Sequence, residues 1–207
     1  MISLFIDTSN SDVVIGLLEN GRLIEKETRS ILNEHSKYAV SIIDEVLKKA
    51  NISTYSVGEI LVVNGPGSFT GIRIGLTISK VYAYLTNIKV ILMSSLKCLA
   101  LSKDKDNYDY ILSIIDAKRG NCYIGLYDKD YNEVITEHFT NMDEVRDIRN
   151  KYKNILVVSN TDMEGISKID RIDVEKIYNY YKDKDKVNPN MVLPNYLKLP
   201  QVLEKHD

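Results

Sequence analysis

The chain has 207 residues, 44% of them apolar and 27% charged, which excludes a disordered chain, a collagen-like repeat and a small disulfide scaffold. Its 27 Lys and Arg face 29 Asp and Glu, and the formal charge of -2 argues against a protein that grips nucleic acid by itself through a basic surface. No apolar run reaches the roughly 18 residues of a membrane span, and the start lacks the cationic lead of a secretory signal. Cys98 and Cys122 form neither a metal spacing nor a disulfide framework, so they read as two buried thiols in a reducing, cytoplasmic setting.

Residues 2–6 and 13–18 are short apolar runs expected as strands. Asn20-Gly21 suits the positive φ angles of a tight hairpin, and residues 22–28 then alternate as an outer antiparallel strand, with Leu23 and Ile24 inward. Ala39, Ile42, Ile43, Val46, Leu47 and Ala50 recur at helical spacing, which predicts an amphipathic helix capped by Ser36. Residues 60–63 are wholly apolar, as a strand buried on both faces would be. The glycine-rich segment 64–71 then leads into a second helix, with Ile74, Ile78, Val81, Tyr82 and Leu85 as its apolar stripe. A strand at 90–92 and a helix at 94–101 complete the order βββαβαβα.

The charged break at 103–107 divides the chain into an expected N-terminal lobe, 1–102, and a shorter C-terminal lobe, 103–207. Beyond it the order restarts, with strands at 110–115, 121–127 and 133–139, a helix at 142–151 and a buried strand at 155–158. Residues 182–186 alternate in charge as a solvated loop. Three of the four prolines fall at 189–200, too many for a long helix, although Tyr196 and Leu197 are placed to pack back on the body.

The segment 64–71 sits at the carboxyl end of a buried strand, where α/β sheets bind ligands. Its glycines permit close backbone approach, and Ser68 or Thr70 can cap the helix that follows, whose N-terminal amides suit an anion. It reads equally as an anion cradle and as a structural turn, and it lacks the Gly-Lys-Ser/Thr of a Walker loop. Asp7, Thr8 and Ser9 end the first strand as turn formers that in an enzyme would position a metal-bound phosphate. Asp116 ends the first strand of the second half in the equivalent place. His35, His138 and His206 are scattered, and Ser68 lacks the setting of a hydrolase nucleophile, so the residues offer a cradle with little machinery.

Asn64-Gly65-Pro66-Gly67-Ser68-Phe69-Thr70-Gly71-Ile72-Arg73-Ile74-Gly75 resembles the hallmark GPGSFTGxRxG segment of the TsaB (YeaZ) family. Ile6-Asp7-Thr8-Ser9, Met93-Ser94-Ser95-Leu96, the run from Asp116 to Tyr123 and Pro194-Asn195-Tyr196-Leu197-Lys198 resemble further segments of that family, in order along the chain. The resemblance implies an α/β ASKHA (actin/Hsp70-like, glycoprotease-like) fold, two ribonuclease-H-like βββαβα lobes with the second abbreviated. It implies a non-catalytic subunit that binds TsaD in making threonylcarbamoyladenosine next to the anticodon of tRNAs reading A-starting codons. The expected partners are a TsaD-like catalytic subunit and a TsaE-like ATPase. The tRNA is reached only through the complex, a homodimer forms when the chain is alone, and there is no membrane partner. TsaD-like proteins carry a metal-binding His-x-x-x-His where this chain has Ser95 and Leu99, which cannot rebuild that site.

The helices from Ser36 to Ala50 and from Thr70 to Tyr84 are the expected docking surface, with Ile42, Val46, Arg73 and Tyr82 at the interface and Gly71 and Gly75 admitting a partner helix closely. No resident cofactor or metal is expected, and ATP or ADP would be held only at the joint interface with TsaD, touching the loop from Gly65 to Gly71. The alternative is a small ASKHA kinase or ATPase acting on its own, with Asp7 and Asp116 holding a divalent metal over phosphates.

Overall fold

A computed structural model describes residues 1–31, 34–104 and 107–198; Lys105 and Asp106 of the expected boundary, and Pro200 of the proline-rich tail, lie outside them. Three antiparallel strands open the chain: β1 (Ile2–Asp7), β2 (Asp12–Glu19) and β3 (Arg22–Ser30). Asn20 and Gly21 join the last two with φ of 50° and 83°, as the hairpin dipeptide predicts. Then follow α1 (His35–Lys49), β4 (Val57–Gly65), α2 (Phe69–Thr86), β5 (Lys89–Ser94) and α3 (Ser95–Leu101). The sheet order is β3-β2-β1-β4-β5, with β4 and β5 parallel to β1.

The second half repeats this plan. β6 (Tyr110–Asp116), β7 (Asn121–Asp128) and β8 (Glu133–Asn141) are antiparallel; α4 (Met142–Lys151), β9 (Ile155–Ser159), β10 (Ser167–Lys168) and α5 (Val174–Tyr181) follow. Its sheet order, β10-β9-β6-β7-β8, matches the first strand for strand. The abbreviation lies after β9, where the first half has the 18 residues of α2 and the second has no helix before the two-residue β10.

Each sheet is covered on both faces. One face of the first sheet, with Leu4, Ile6, Ile15, Ile60 and Val62, meets α1 and α2. Its other face, with Phe5, Val14, Leu18, Leu61 and Ile91, meets Cys98 and Leu101 of α3 and Val174, Ile177, Tyr178 and Tyr181 of α5. The second sheet turns Ile111, Ile115 and Val158 to Leu96, Leu99 and Ala100 of α3, and packs Leu112, Ile114 and Ile124 on Val145 and Ile148 of α4. Helix α3 thus lies between the two sheets with all seven residues buried, the polar Ser95 and Lys97 among them. A strap runs back over the first sheet from Val187, which bridges to Val90, to Asn195, whose N–H donates to the Asn64 carbonyl at 2.8 Å.

Four expectations are corrected. Ser36 does not cap α1; Glu34 occupies the cap position and makes no side-chain cap bond. Ile24 is exposed and only Leu23 of that pair packs inward. On α2 the core face is not the bulky stripe but Gly71, Ile72, Gly75, Leu76, Ser79 and Ala83, while Val81 and Leu85 are exposed and Ile74, Ile78 and Tyr82 half-buried. Helix α5 and strand β10 have no counterpart among the expected elements.

Candidate functional site

The loop between β4 and α2 is built from its own hydrogen bonds. The Gly65–Pro66 peptide is cis, and Ser68 caps α2 by accepting from the Gly71 N–H at 3.2 Å. The Ser68 N–H donates to the Ser9 carbonyl at 2.7 Å, and the Thr8 hydroxyl donates to the Gly71 carbonyl at 2.7 Å. Two amides that an anion would need are therefore already taken. Helix α2 is drawn against the end of β1: a Cβ on Gly71 would lie 2.0 Å from the Thr8 carbonyl oxygen, and one on Gly75 2.5 Å from the Thr8 Oγ1. The two glycines admit the chain's own turn, not a partner helix.

Asp7 is buried and accepts from the Ser9 N–H at 2.8 Å and the Ser9 hydroxyl at 2.7 Å. Burial raises its carboxyl pKa above the ordinary value, against the lowering effect of those two bonds. Asp116 stands at the matching strand end but pairs with the Lys118 ammonium at 2.8 Å and accepts the Lys118 N–H. Burial pushes its pKa up, yet the Lys118 bonds outweigh that and hold it below the ordinary value. A cleft of about 420 Å3 between the halves is lined by Ser9, Gly67, Ser68, Asp116 and Lys118. Asp7 does not line that cleft; it borders a separate space of about 50 Å3 with Leu99 and Asn160. The two aspartates do not converge on one cavity, and among the described residues no His, Cys, Asp and Glu cluster is placed to hold a metal.

Ser95 and Leu99 serve packing. The Ser95 hydroxyl donates to the Pro66 carbonyl, and Leu99 is buried between the sheets. Cys98 and Cys122 are buried and unpaired, and burial raises both thiols, Cys122 to about 11.

The outer side of α1 and α2 is different in character. Ile42 and Val46 face the core at 0% exposure, which corrects their expected place at an interface. Instead Ile74, Ile78, Val81 and Leu85, spaced at i, i+4, i+7 and i+11, run along the outer face of α2, with Val81 53% and Leu85 77% exposed. Val40 of α1, 60% exposed, joins Ile74 and Ile78 in a groove of about 400 Å3 between the helices. Arg73 is exposed at its edge and lies 4.6 Å over the Phe69 ring. Tyr82 donates its hydroxyl to the Thr54 carbonyl, and burial pushes its pKa up to about 12. Val40, Val81 and Leu85 are the exposed apolar side chains of this face.

The family profile described as TsaD, tRNA N6-adenosine threonylcarbamoyltransferase, matches residues 29–180. The tRNA threonylcarbamoyladenosine biosynthesis protein TsaB of Bacillus subtilis is 36% identical over 128 residues, 61% of this chain and 55% of that protein. The chain belongs to this family, in its TsaB (YeaZ) branch. The TsaB of Escherichia coli is 27% identical over 132 residues, 63% of this chain and 57% of that protein. The matches thus span little more than half the length of these curated relatives. YeaZ from Pseudomonas aeruginosa superposes with a TM-score of 0.79 over 95% of this chain and 99% of that one, at 20% identity, so the two share one fold. Among the described residues no helix is long and apolar enough to cross a membrane.

Proposed function

We propose that the chain is a non-catalytic subunit in the synthesis of threonylcarbamoyladenosine in tRNA, docking a TsaD-like catalytic partner on the outer face of α1 and α2. The observation that carries the reading is the apolar stripe of Ile74, Ile78, Val81 and Leu85 on α2 beside Val40 of α1, in which Val40, Val81 and Leu85 are exposed while Ile78 also packs on the core. Ser95 and Leu99, used for packing where TsaD-like proteins hold a metal, support the same reading, as do the loop amides bonded within the chain. Docking would favour the partner's competent form only to the extent that it binds that form more tightly. A TsaE-like ATPase joins the complex, and the same face closes a homodimer when the partner is absent.

Co-expression with the TsaD-like subunit and gel filtration test this. Val81→Glu and Leu85→Glu place charge on an exposed face and leave the unfolding midpoint within about 0.5 kcal/mol of the wild type. They are expected to abolish co-elution with the partner and to turn the isolated chain monomeric. A complex that survives both substitutions refutes the docking face. The rival, an independent nucleotide enzyme, requires calorimetric binding of ATP with magnesium by the chain alone; silence is expected.

A further inference from the structure

A second cavity lies beside the docking groove and shares only Phe69 with it. It is about 300 Å3 in volume and opens where the turn at 117–120 and strand β8 meet the strap and the start of α2. Its walls are aromatic. Tyr196 stacks on Phe69 with centroids 5.2 Å apart and planes 23° apart, and Tyr123 meets Phe139 edge to face at 5.5 Å. The chain has only three phenylalanines, and the two outside the core both stand here.

The rim is cationic. Lys198 lies 4.4 Å over the Phe139 ring. The Arg119 guanidinium has no hydrogen-bond or ion-pair partner among the described residues, while Lys118 is held by Asp116. Among the described residues no Asp or Glu lines the cavity. The turn itself is costly. The Asn121 N–H donates to the Lys118 carbonyl at 3.1 Å, closing a turn on Arg119 and Gly120 with φ of 56° and 76°. Such a turn favours Asn-Gly, the pair found at Asn20-Gly21, and a left-handed arginine is strained where asparagine would not be. Strain held at an exposed, unpaired cation points to a use for that cation.

We infer that this cavity binds nucleotide units of a single RNA strand, bases stacking on the two ring pairs and phosphates lying against Arg119 and Lys198. Flat rings beside unneutralised cations fit a base with its phosphate, and stacking on them is tolerant of sequence. Naming RNA as the source rests on the role proposed above; the cavity's chemistry does not, and a free nucleotide presents the same groups. The near-zero net charge of the chain is compatible with a local site of this kind, because only the cations at the rim contribute.

The test is fluorescence polarisation of a short labelled single-stranded RNA with the full chain, between about 50 and about 200 mM salt, with AMP as competitor. Arg119→Asn is expected to weaken RNA binding about fivefold near 0.1 M salt and to reduce the salt slope by about 0.7, while leaving the unfolding midpoint unchanged or higher. Phe139→Leu, which keeps apolar volume, is expected to weaken binding by about fivefold or more through lost stacking; Lys153→Glu, exposed and outside the cavity, is not. Binding of RNA but not AMP identifies the strand as the source. AMP binding with the same losses in the variants identifies free nucleotide and upholds the cavity. No binding of either, or binding indifferent to Arg119→Asn and Phe139→Leu, overturns the inference, whatever the variants on α2 do in gel filtration.

Discussion

Thr8 holds the start of α2 against the end of β1. Its hydroxyl donates to the Gly71 carbonyl, and the same Oγ1 is the atom that a side chain at Gly75 would meet at 2.5 Å. Overpacking of this kind costs typically about 1–3 kcal/mol. Gly75→Ala is therefore expected to destabilise the chain by about 2 kcal/mol, read as a lowered urea midpoint. In a Thr8→Ala background the obstructing atom is gone, so the added cost of Gly75→Ala should fall below about 1 kcal/mol, at the separate expense of the lost hydrogen bond. Equal costs in the two backgrounds would contradict this account of the contact. Gly71→Ala has no such rescue, because the obstacle there is the Thr8 backbone oxygen at 2.0 Å. The motif's glycines were legible in the sequence, but not what they approach, since Thr8 lies 63 residues before Gly71.

At the scale of elements, α2 shows why periodicity found the helix and missed its face. Bulky apolar residues stand on two sides of it, and the eye follows Ile74, Ile78, Val81 and Leu85. The helix packs instead on its small residues, Gly71, Gly75, Ser79 and Ala83, because only these allow close approach to β1 and β4. Helix α5 was readable from Val174, Ile177, Tyr178 and Tyr181 at i, i+3, i+4 and i+7 behind the capping Asp173, with Glu175 and Lys176 interrupting the pattern. Helix α3 was found in the sequence, yet its burial on all sides raises a question that only the fold answers, the fate of Lys97. That side chain is 5% exposed; its ammonium donates to the Tyr131 carbonyl and lies 3.7 Å from the centroid of the Tyr127 ring. Burial lowers its pKa to about 8, against the opposing pull of Glu133 and Glu137. In the unfolded chain the lysine keeps its proton up to about 10.5. Between pH 8 and that value the unfolded state binds more protons, so stability rises with pH. Tyr127 and Tyr181, whose pKa values burial raises, stay protonated in the fold and reverse the trend once unfolded tyrosines ionise near pH 10. The wild type is thus expected to gain about 1–2 kcal/mol from pH 8 to about 9.5, relative to Lys97→Met measured in parallel urea titrations. Parallel pH profiles for the two proteins would show that Lys97 is not charged and buried as described.

The whole molecule is two repeated sheets that share their covers. The restart of strand order after residue 107 was visible in the sequence, but the crossing of α5 back to the first sheet was not, since no local pattern records which sheet a helix meets. Gly16 on β2 makes the seat, for a Cβ there would lie 2.9 Å from Val174. Cut at residue 102, the first half would keep α1 and α2 on one face and lose α5 from the other, baring Phe5, Val14, Leu18 and Ile91. The second-sheet side of α3, with Leu96, Leu99 and Ala100, would be bared with it. Each large side chain among them loses up to about 1.5–3 kcal/mol of burial when exposed, so the sum is comparable to the about 5–15 kcal/mol that typically holds a domain together. A fragment of residues 1–102 is therefore expected to bind a hydrophobic dye and to give a collapsed amide spectrum, and addition of residues 103–207 should restore dispersion. The intact chain, in turn, should lose helical signal and tyrosine near-ultraviolet signal in one transition, because α5, with Tyr178 and Tyr181, packs on the first sheet and ties the two halves together. A well-dispersed spectrum from the first fragment alone would mean that α5 covers a face already able to stand without it, and the two transitions would then separate.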